Sequence, residues 1–304
     1  MENDDVNEAL ALLQAGRLQE SLARFKRLAQ DHPEDERFIS NVGLILSRQG
    51  NPRHAIPWYQ RAIQICPGNS LYQHNLANAL YLCREYQQAL AVFREIVAQH
   101  PQRAASWNDM AVLLNRMGRT EEAITALQSA VIADPNYANG WHNLGVYLGR
   151  SKRNDEAIAA YSEAIRVDPC AWRTREYLAL TYAMNKLYEE AAAEYEFIAA
   201  RQPHYKDIHL HIGDVCDLAG HYGRAIDAYN QHLQLFPGDA QGLSKLGMCQ
   251  LSRGLDEKSV EICREGLRTQ WKAVRRRPWN ILVWLNVFLT YHCISVKLKK
   301  TDCT

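Results

Sequence analysis

At 304 residues the chain is long enough for two average domains or for one array of repeats. A mean hydropathy of -0.38 excludes a protein that spans a membrane many times, and a formal net charge of +1 gives no reason to expect nucleic-acid binding. The charge is uneven, however, because residues 1–270 carry 28 Lys/Arg against 33 Asp/Glu, whereas residues 271–304 carry 7 Lys/Arg against one acid.

The first residues, Met-Glu-Asn-Asp-Asp, are acidic and no apolar run follows them, so the sequence indicates no secretory signal. The 8 cysteines are scattered, without a CxxC pair or the spacing of zinc ligands. Free cysteine behaves as a small buried hydrophobe. We therefore predict a reducing compartment, the cytoplasm.

Prolines recur at a constant step of 34 residues, without insertion or deletion. The members of this series are Pro33, Pro67, Pro101, Pro135, Pro169, Pro203 and Pro237. A fixed period between roughly 20 and 50 residues is typical of a repeat array.

Other columns keep the same period. Two columns hold small residues, one running from Ala9 to Gly247 and one from Ser21 to Ser259, and a bulky column from Phe25 to Tyr229 lies four residues behind the second. A glycine column contains Gly16, Gly50, Gly118, Gly220 and Gly254.

Apolar residues at helical spacing on both sides of the glycine column predict two helices per unit. The glycine should end the first helix in a left-handed conformation, and the proline should end the second. The small columns should let the two helices approach closely while the bulky column fills the space beside them. Trp107 and Trp141 lie in a packing column, so we assign them to the core.

The fifth unit shows the pattern most fully, with Trp141, Leu144, Gly145, Ala157, Tyr161 and Pro169. This pattern resembles the tetratricopeptide repeat, W-x2-L-G-x2-Y…A-x3-F…P. The resemblance implies an all-α fold, a right-handed superhelical solenoid of about eight helix-turn-helix repeats. The predicted repeats cover residues 2–35, 36–69, 70–103, 104–137, 138–171, 172–205, 206–239 and a degenerate 240–273, followed by a basic and apolar tail at 274–304.

In proteins similar to this one the first helices of the repeats line a concave groove. The resemblance therefore implies a peptide-binding groove formed by Asn41, Arg48, His74, Asn75, Asn78, Asn108, Asp109, Arg116, His142, Asn143, Arg150, Tyr177, His211 and Asp214. Asparagine both donates and accepts hydrogen bonds, so such a row can bind a peptide backbone whatever its side chains. The row is similar to the asparagine-lined superhelix of the O-linked N-acetylglucosamine transferases. The alternative is that these polar side chains form a solvated face without a ligand.

His209, His211, Asp214 and Asp217 are the one cluster with donors suited to a divalent ion. Polar helices produce such groups by chance, so we predict no metal site and no other cofactor. The sequence also lacks a nucleophile elbow, a phosphate loop and an HExxH motif.

The tail allows three interpretations. Residues 280–296 are apolar between basic flanks, which suits a membrane anchor at the lower limit of length, although Asn286 and His292 dilute the run. The tail would otherwise be a helix that caps the last repeat, or an altered replacement for a larger domain.

We predict a protein-interaction scaffold that is not an enzyme and does not bind nucleic acid. Two alternatives remain: the targeting module of a transferase whose catalytic domain is missing here, and a membrane-tethered assembly factor. About 35 residues after the array are too few for a catalytic domain, since domains begin near roughly 50 residues.

Overall fold

The computed structural model describes residues 2–205, 207–257 and 259–276, and within them it contains sixteen α-helices and no β-strand. The helices are α1 (Glu2–Gln14), α2 (Leu18–Asp31), α3 (Glu36–Arg48), α4 (Pro52–Ile65), α5 (Ser70–Leu82), α6 (Tyr86–Gln99), α7 (Ala104–Arg116), α8 (Thr120–Ala133), α9 (Ala138–Arg150), α10 (Asn154–Val167), α11 (Trp172–Met184), α12 (Tyr188–Arg201), α13 (Ile208–Leu218), α14 (Tyr222–Leu235), α15 (Ala240–Asp256) and α16 (Val260–Arg276). The predicted all-α repeat fold is confirmed.

The helices form two compact units, unit 1 (Met1–Pro169) with α1–α10 and unit 2 (from Cys170 onward) with α11–α16. Inside each unit every helix packs against the helices before and after it in the chain. First helices also contact first helices of the next repeat, as α7 contacts α9 in unit 1 and α13 contacts α15 in unit 2. Each unit is therefore a stack of helical hairpins in which every repeat covers its neighbour's apolar side.

The turn between the two helices of a repeat has a left-handed residue, as predicted. Gly16, Gly50, Gly118 and Gly220 have φ between +75° and +80°. Where the column lacks glycine, Arg84, Lys152 and Lys186 adopt the same conformation, with φ of 61–63°. The backbone geometry is thus kept from repeat to repeat even where a side chain makes it less favourable.

The second helices end just before the proline column, as predicted. Each even-numbered helix from α2 to α14 ends two residues before the proline of its repeat. The residue before a proline is pushed out of the helical region, and here it has φ near -130°, as at His32 and Phe236.

The small and bulky columns pack against each other in the core. A Cβ added to Gly43, Gly145 or Gly213 would lie within 2.8 Å of the ring of Tyr59, Tyr161 or Tyr229, respectively. Those three tyrosines are almost completely buried and are among the largest buried side chains of the described residues. Alanine replaces this glycine where the bulky residue is smaller, in the pairs Ala9 with Phe25, Ala77 with Phe93 and Ala111 with Leu127. The sixth repeat is the exception, because Ala179 is paired with Tyr195 there. The size of one column therefore compensates for the size of the other in six of the first seven repeats.

The eighth repeat departs from the prediction at Gly254. This glycine does not end the first helix, because α15 continues to Asp256. Gly254 is buried, and an added Cβ would lie 2.7 Å from Sγ of Cys263. The absence of a side chain at this position therefore serves close packing of α15 on α16 instead of a turn.

Helix α16 runs to Arg276, past the predicted boundary at residue 273, and Ala273 and Val274 are buried. The rest of the tail, including 280–296 and its three interpretations, lies outside the described residues. None of the helices in the described part of the chain combines the length and the apolar character that crossing a bilayer requires.

Candidate protein-binding surfaces

The fourth residue of several first helices joins its repeat to the one before. The indole Nε1 atoms of Trp107 and Trp141 each donate to the carbonyl oxygen of the preceding proline, Pro101 or Pro135, at 2.9 Å. Gln73 makes the same bond to the preceding proline at 3.2 Å. The two tryptophans, assigned to the core from sequence, are half-buried at the joint between repeats.

Four predicted groove residues of unit 1 form a chain of polar contacts across three repeats. Nδ2 of Asn143 in α9 donates to Oδ1 of Asn108 in α7 at 2.7 Å. Nδ2 of Asn108 donates to Oδ1 of Asp109 at 3.2 Å, and the other oxygen of Asp109 lies 3.4 Å from Nε2 of His74 in α5. We call Asn143, Asn108, Asp109 and His74 the inter-repeat chain. This chain connects neighbouring repeats.

The inter-repeat chain is partly withdrawn from solvent. Asn108 is buried, with 7% of its surface exposed. Burial raises the pKa of Asp109 and lowers the pKa of His74, because desolvation disfavours the charged form of each. His74 also packs edge-on against the ring of Phe93, with 6.0 Å between ring centroids. These side chains are therefore held in place before any partner arrives.

A second group of predicted residues on the same first helices lacks such bonds. Within the described part of the chain, these side chains make no hydrogen bond and no ion pair: Asn75, Asn78, Arg48, Arg116 and Arg150. Asn78 and the three arginines are exposed, and Asn75 is half-buried. Each arginine lies in the last turn of its helix, where a cation is favoured by the helix dipole. We call these five residues the open polar row.

The two remaining predicted residues of unit 1 are occupied within their own repeats. Nδ2 of Asn41 donates to the carbonyl oxygen of Arg37, one turn earlier in α3, at 2.9 Å. The ring of His142 packs on that of Tyr161, with 6.0 Å between centroids.

In unit 2, the predicted residues His211 and Asp214 are held by their neighbours. His211 stacks on Tyr195 with 5.4 Å between ring centroids. Asp214 accepts a hydrogen bond from the hydroxyl of Tyr229 at 2.9 Å and an ion pair from Nζ of Lys245 at 2.5 Å. Sequence reasoning did not anticipate the pairing with Lys245, which lies one repeat further along the chain.

Of the residues considered as metal ligands, His211 and Asp214 make the contacts described above. Burial lowers the pKa of His209 and raises the pKa of Asp217. Among the described residues no three His, Cys, Asp or Glu side chains are grouped as a metal site would require.

The last predicted residue, Tyr177, lies on a different kind of surface. It lines a cleft in the sixth repeat together with apolar and aromatic residues that sequence reasoning missed, notably Trp172, Leu180 and Tyr205. The signal was present, because Leu180 stands at the register of Asn78 and Met184 at that of Arg116. The first helix of the sixth repeat thus replaces the polar residues of unit 1 by apolar ones.

Stacked helical hairpins with a 34-residue period and an exposed polar row on their first helices define a helical-repeat interaction protein. Tetratricopeptide-repeat family models match residues 6–70, 142–205 and 188–240, and residues 84–144. The chain belongs to the tetratricopeptide repeat family. No match was found among curated proteins.

Solved structures share this fold at low sequence identity. The C-terminal part of a tetratricopeptide repeat protein from Cytophaga hutchinsonii superposes with a TM-score of 0.68 and 13% identity, over 79% of this chain and 98% of that one. PilF of Pseudomonas aeruginosa gives 0.54 and 19% identity, over 71% and 97%. A tetratricopeptide repeat protein from Parabacteroides merdae gives 0.53 and 16% identity, over 84% and 98%. At such identities the likeness concerns the fold alone.

Proposed function

We propose that the chain is a non-catalytic interaction scaffold that binds an extended segment of a partner protein along the first helices of its repeats. The observation that carries this proposal is the open polar row. Asn75 and Asn78 offer donors and acceptors that no described residue uses. An extended peptide has both groups in every residue, so such amides can pair with its backbone.

The arginines of the open polar row indicate a preference within this function. Arg48, Arg116 and Arg150 are exposed, whereas Arg119 and Arg153 are held by ion pairs with glutamates one turn away. Guanidinium groups without a partner bind carboxylates through charge-assisted hydrogen bonds. We therefore expect a partner segment with acidic side chains where it passes unit 1.

Asn143 has a smaller share in this proposal than its sequence suggests. Its amide N–H is already donated to Asn108, and the bond fixes the distance between α7 and α9. The likeness to the asparagine-lined groove of the O-linked N-acetylglucosamine transferases therefore rests on Asn75 and Asn78, which are free to meet a ligand. The six described cysteines form no disulfide with one another, which supports a reducing compartment, for which we propose the cytoplasm.

The test is a binding measurement with the full chain. Peptides selected from a random displayed library would be titrated by fluorescence polarisation against the wild-type chain and against a variant with Asn75→Ala, Asn78→Ala and Arg116→Ala. Each lost hydrogen bond is worth about 1 kcal/mol, so affinity should fall by about tenfold or more.

The matched control changes three exposed polar residues of second helices, Gln60→Ala, Gln88→Ala and Gln99→Ala. This variant should keep the wild-type affinity. Equal losses in both variants, or none in the first, would contradict binding along the first helices.

A further inference from the structure

The first helix of the sixth repeat presents apolar residues to solvent. Tyr177, Leu180 and Met184 of α11 are 38%, 51% and 60% exposed. Their spacing of three and four residues places them on one face, while Leu178 and Ala179 are buried on the other side of the helix. Side chains of this size are costly to leave in water, and here they are grouped.

Part of this face closes into a preformed cleft of about 460 Å3. Its lining residues are Trp172, Arg173, Glu176, Tyr177, Leu180 and Tyr205, all from unit 2. The rings of Trp172 and Tyr205 lie 5.4 Å apart at 60°. The hydroxyl of Tyr205 donates to the carboxylate of Glu176, whose two oxygens lie 3.1 and 3.2 Å away. This bond fixes an aromatic wall and a carboxylate next to each other.

The charges around the cleft favour a cation. Glu176 and Asp207 are half-buried, and the negative charge of both raises the pKa of Tyr205, after burial of its ring. Arg173 is the opposing charge, and it lowers the pKa of Tyr205 by more than Asp207 raises it, although it is exposed and makes no hydrogen bond or ion pair with any described residue. Glu176 acts on Tyr205 more strongly than either, because it is bonded to the hydroxyl, so the charge fixed beside the rings is negative.

We infer that this cleft binds an arginine side chain of the partner segment. Three aromatic residues around one carboxylate suit a guanidinium, which stacks on aromatic faces and is more weakly hydrated than an ammonium group. The carboxylate of Glu176 keeps acceptor capacity after its bond with a single hydroxyl proton, so it can receive the guanidinium N–H groups. The inference rests on the proposed function and adds a specificity site to it.

The same molecule shows that its aromatic residues take guanidinium groups. The ring of Phe197 lies between two of them, with Arg175 at 3.7 Å and Arg201 at 3.5 Å from its centroid. That ring is saturated by residues of its own chain. In the cleft, Trp172 and Tyr205 line a space that no described residue fills.

The experiment compares a peptide containing one arginine, taken from a library selection on the full chain, with the same peptide carrying citrulline there. Citrulline keeps the shape and removes the charge. Fluorescence polarisation should show the arginine peptide binding about tenfold more tightly. Glu176→Gln, which retains an acceptor for Tyr205, and Tyr177→Ala should each reduce this preference to about threefold or less. Arg173→Ala should increase the preference for arginine, because this change removes a competing cation from the cleft.

Met184→Ala is the matched control, since Met184 is exposed on the same helix but does not line the cleft. Circular dichroism melts would establish that each variant is folded. Equal affinity for arginine and citrulline peptides overturns the inference. A preference that survives Glu176→Gln, or a selection for acidic residues that Arg173→Ala abolishes, also overturns it.

The triple change in the open polar row separates this inference from the proposed function. In that variant overall affinity should fall while the ratio between arginine and citrulline peptides stays near wild type. Peptides that depend on the open polar row but show no arginine preference would refute the cleft alone. A library that yields no peptide for the wild-type chain would refute both.

Discussion

Replacing Gly145 by alanine tests whether the packing of the two periodic columns holds a repeat together. Gly145 lies in α9, and an added Cβ would stand 2.5 Å from Cε1 and 2.6 Å from Cδ1 of Tyr161. An ordinary contact is about 3.4–4 Å, so the ring must move by about 1 Å. Tyr161 is only 2% exposed and has little room to do so.

Gly149, one turn further along α9, provides the reference. Its added Cβ would meet only Cβ of Ala157, at 3.9 Å, which is an ordinary contact. Alanine improves helix propensity at both positions by up to about 1 kcal/mol, somewhat less for Gly149 near the helix end. The difference between the two variants therefore isolates the steric cost, which overpacking of a core places at about 1–3 kcal/mol. We expect Gly145→Ala to be less stable than Gly149→Ala by that amount.

Urea unfolding followed by circular dichroism measures the difference. Amide hydrogen exchange in α9 and α10 adds a local reading, since a repeat array need not unfold in one step. Adding Tyr161→Leu to Gly145→Ala recreates the pair Ala111 and Leu127 of the preceding repeat and should recover part of the loss. Equal stability of Gly145→Ala and Gly149→Ala would refute the packing argument.

Three further changes have expected outcomes. Pro57 lies inside the unbroken helix α4, so Pro57→Ala should raise the free energy of unfolding by about 2 kcal/mol, whereas Pro52→Ala at the helix start should not. Asp35 caps α3, and the hydrogen bond from the neighbouring guanidinium lowers the pKa of this carboxyl below its ordinary 3.8. The stabilisation by this carboxylate is therefore complete above about pH 4 and is lost as the pH falls further. Thermal melts should show that Asp35→Ala costs about 1 kcal/mol at neutral pH and nothing in acid. Asn69→Ala, at the equivalent cap of α5, should cost a similar amount at both pH values. Asn143→Ala leaves a buried acceptor in α7 without its donor and should lower stability by about 1–3 kcal/mol in urea unfolding, an effect absent if that hydrogen bond does not form in solution.

The fold could be predicted from the sequence because its determinants repeat. The proline column ends seven second helices, and the glycine column marks the left-handed turn at Gly16, Gly50, Gly118 and Gly220. Each periodic residue acts within its own repeat or on the next one, so one unit predicts the others. The prediction was wrong at Gly254 because the eighth repeat lacks the proline and lengthens both helices, and there the glycine meets Cys263 instead of forming a turn.

The candidate sites were predicted less well because they depend on contacts that no periodicity encodes. A column of Asn, Asp and His indicates which face carries polar groups. It does not indicate that Asn108 would be buried and bonded to Asn143, or that Lys245 would neutralise Asp214 from the next repeat. The cleft was missed for a related reason. Tyr205 follows the second helix of its repeat, outside the columns assigned to the groove, and only the folded chain brings it beside Trp172.

The polar residues of the first helices therefore fall into two groups, one that connects repeats and one that faces solvent. The division determines which substitutions can change binding without changing the fold. Asn143 and Asn108 connect repeats, so replacing them alters the spacing of α7 and α9 together with any binding. Asn78 and Arg116 are exposed and bond to no described residue, so replacing them changes the surface and leaves the stack intact. A repeat array gains stability from each interface between neighbours. Substitutions in the first group should therefore lower stability, whereas substitutions in the second group should leave it nearly unchanged. Along unit 1, specificity should accordingly reside in the open polar row, and a substitution that alters binding without altering the melting temperature should map to it.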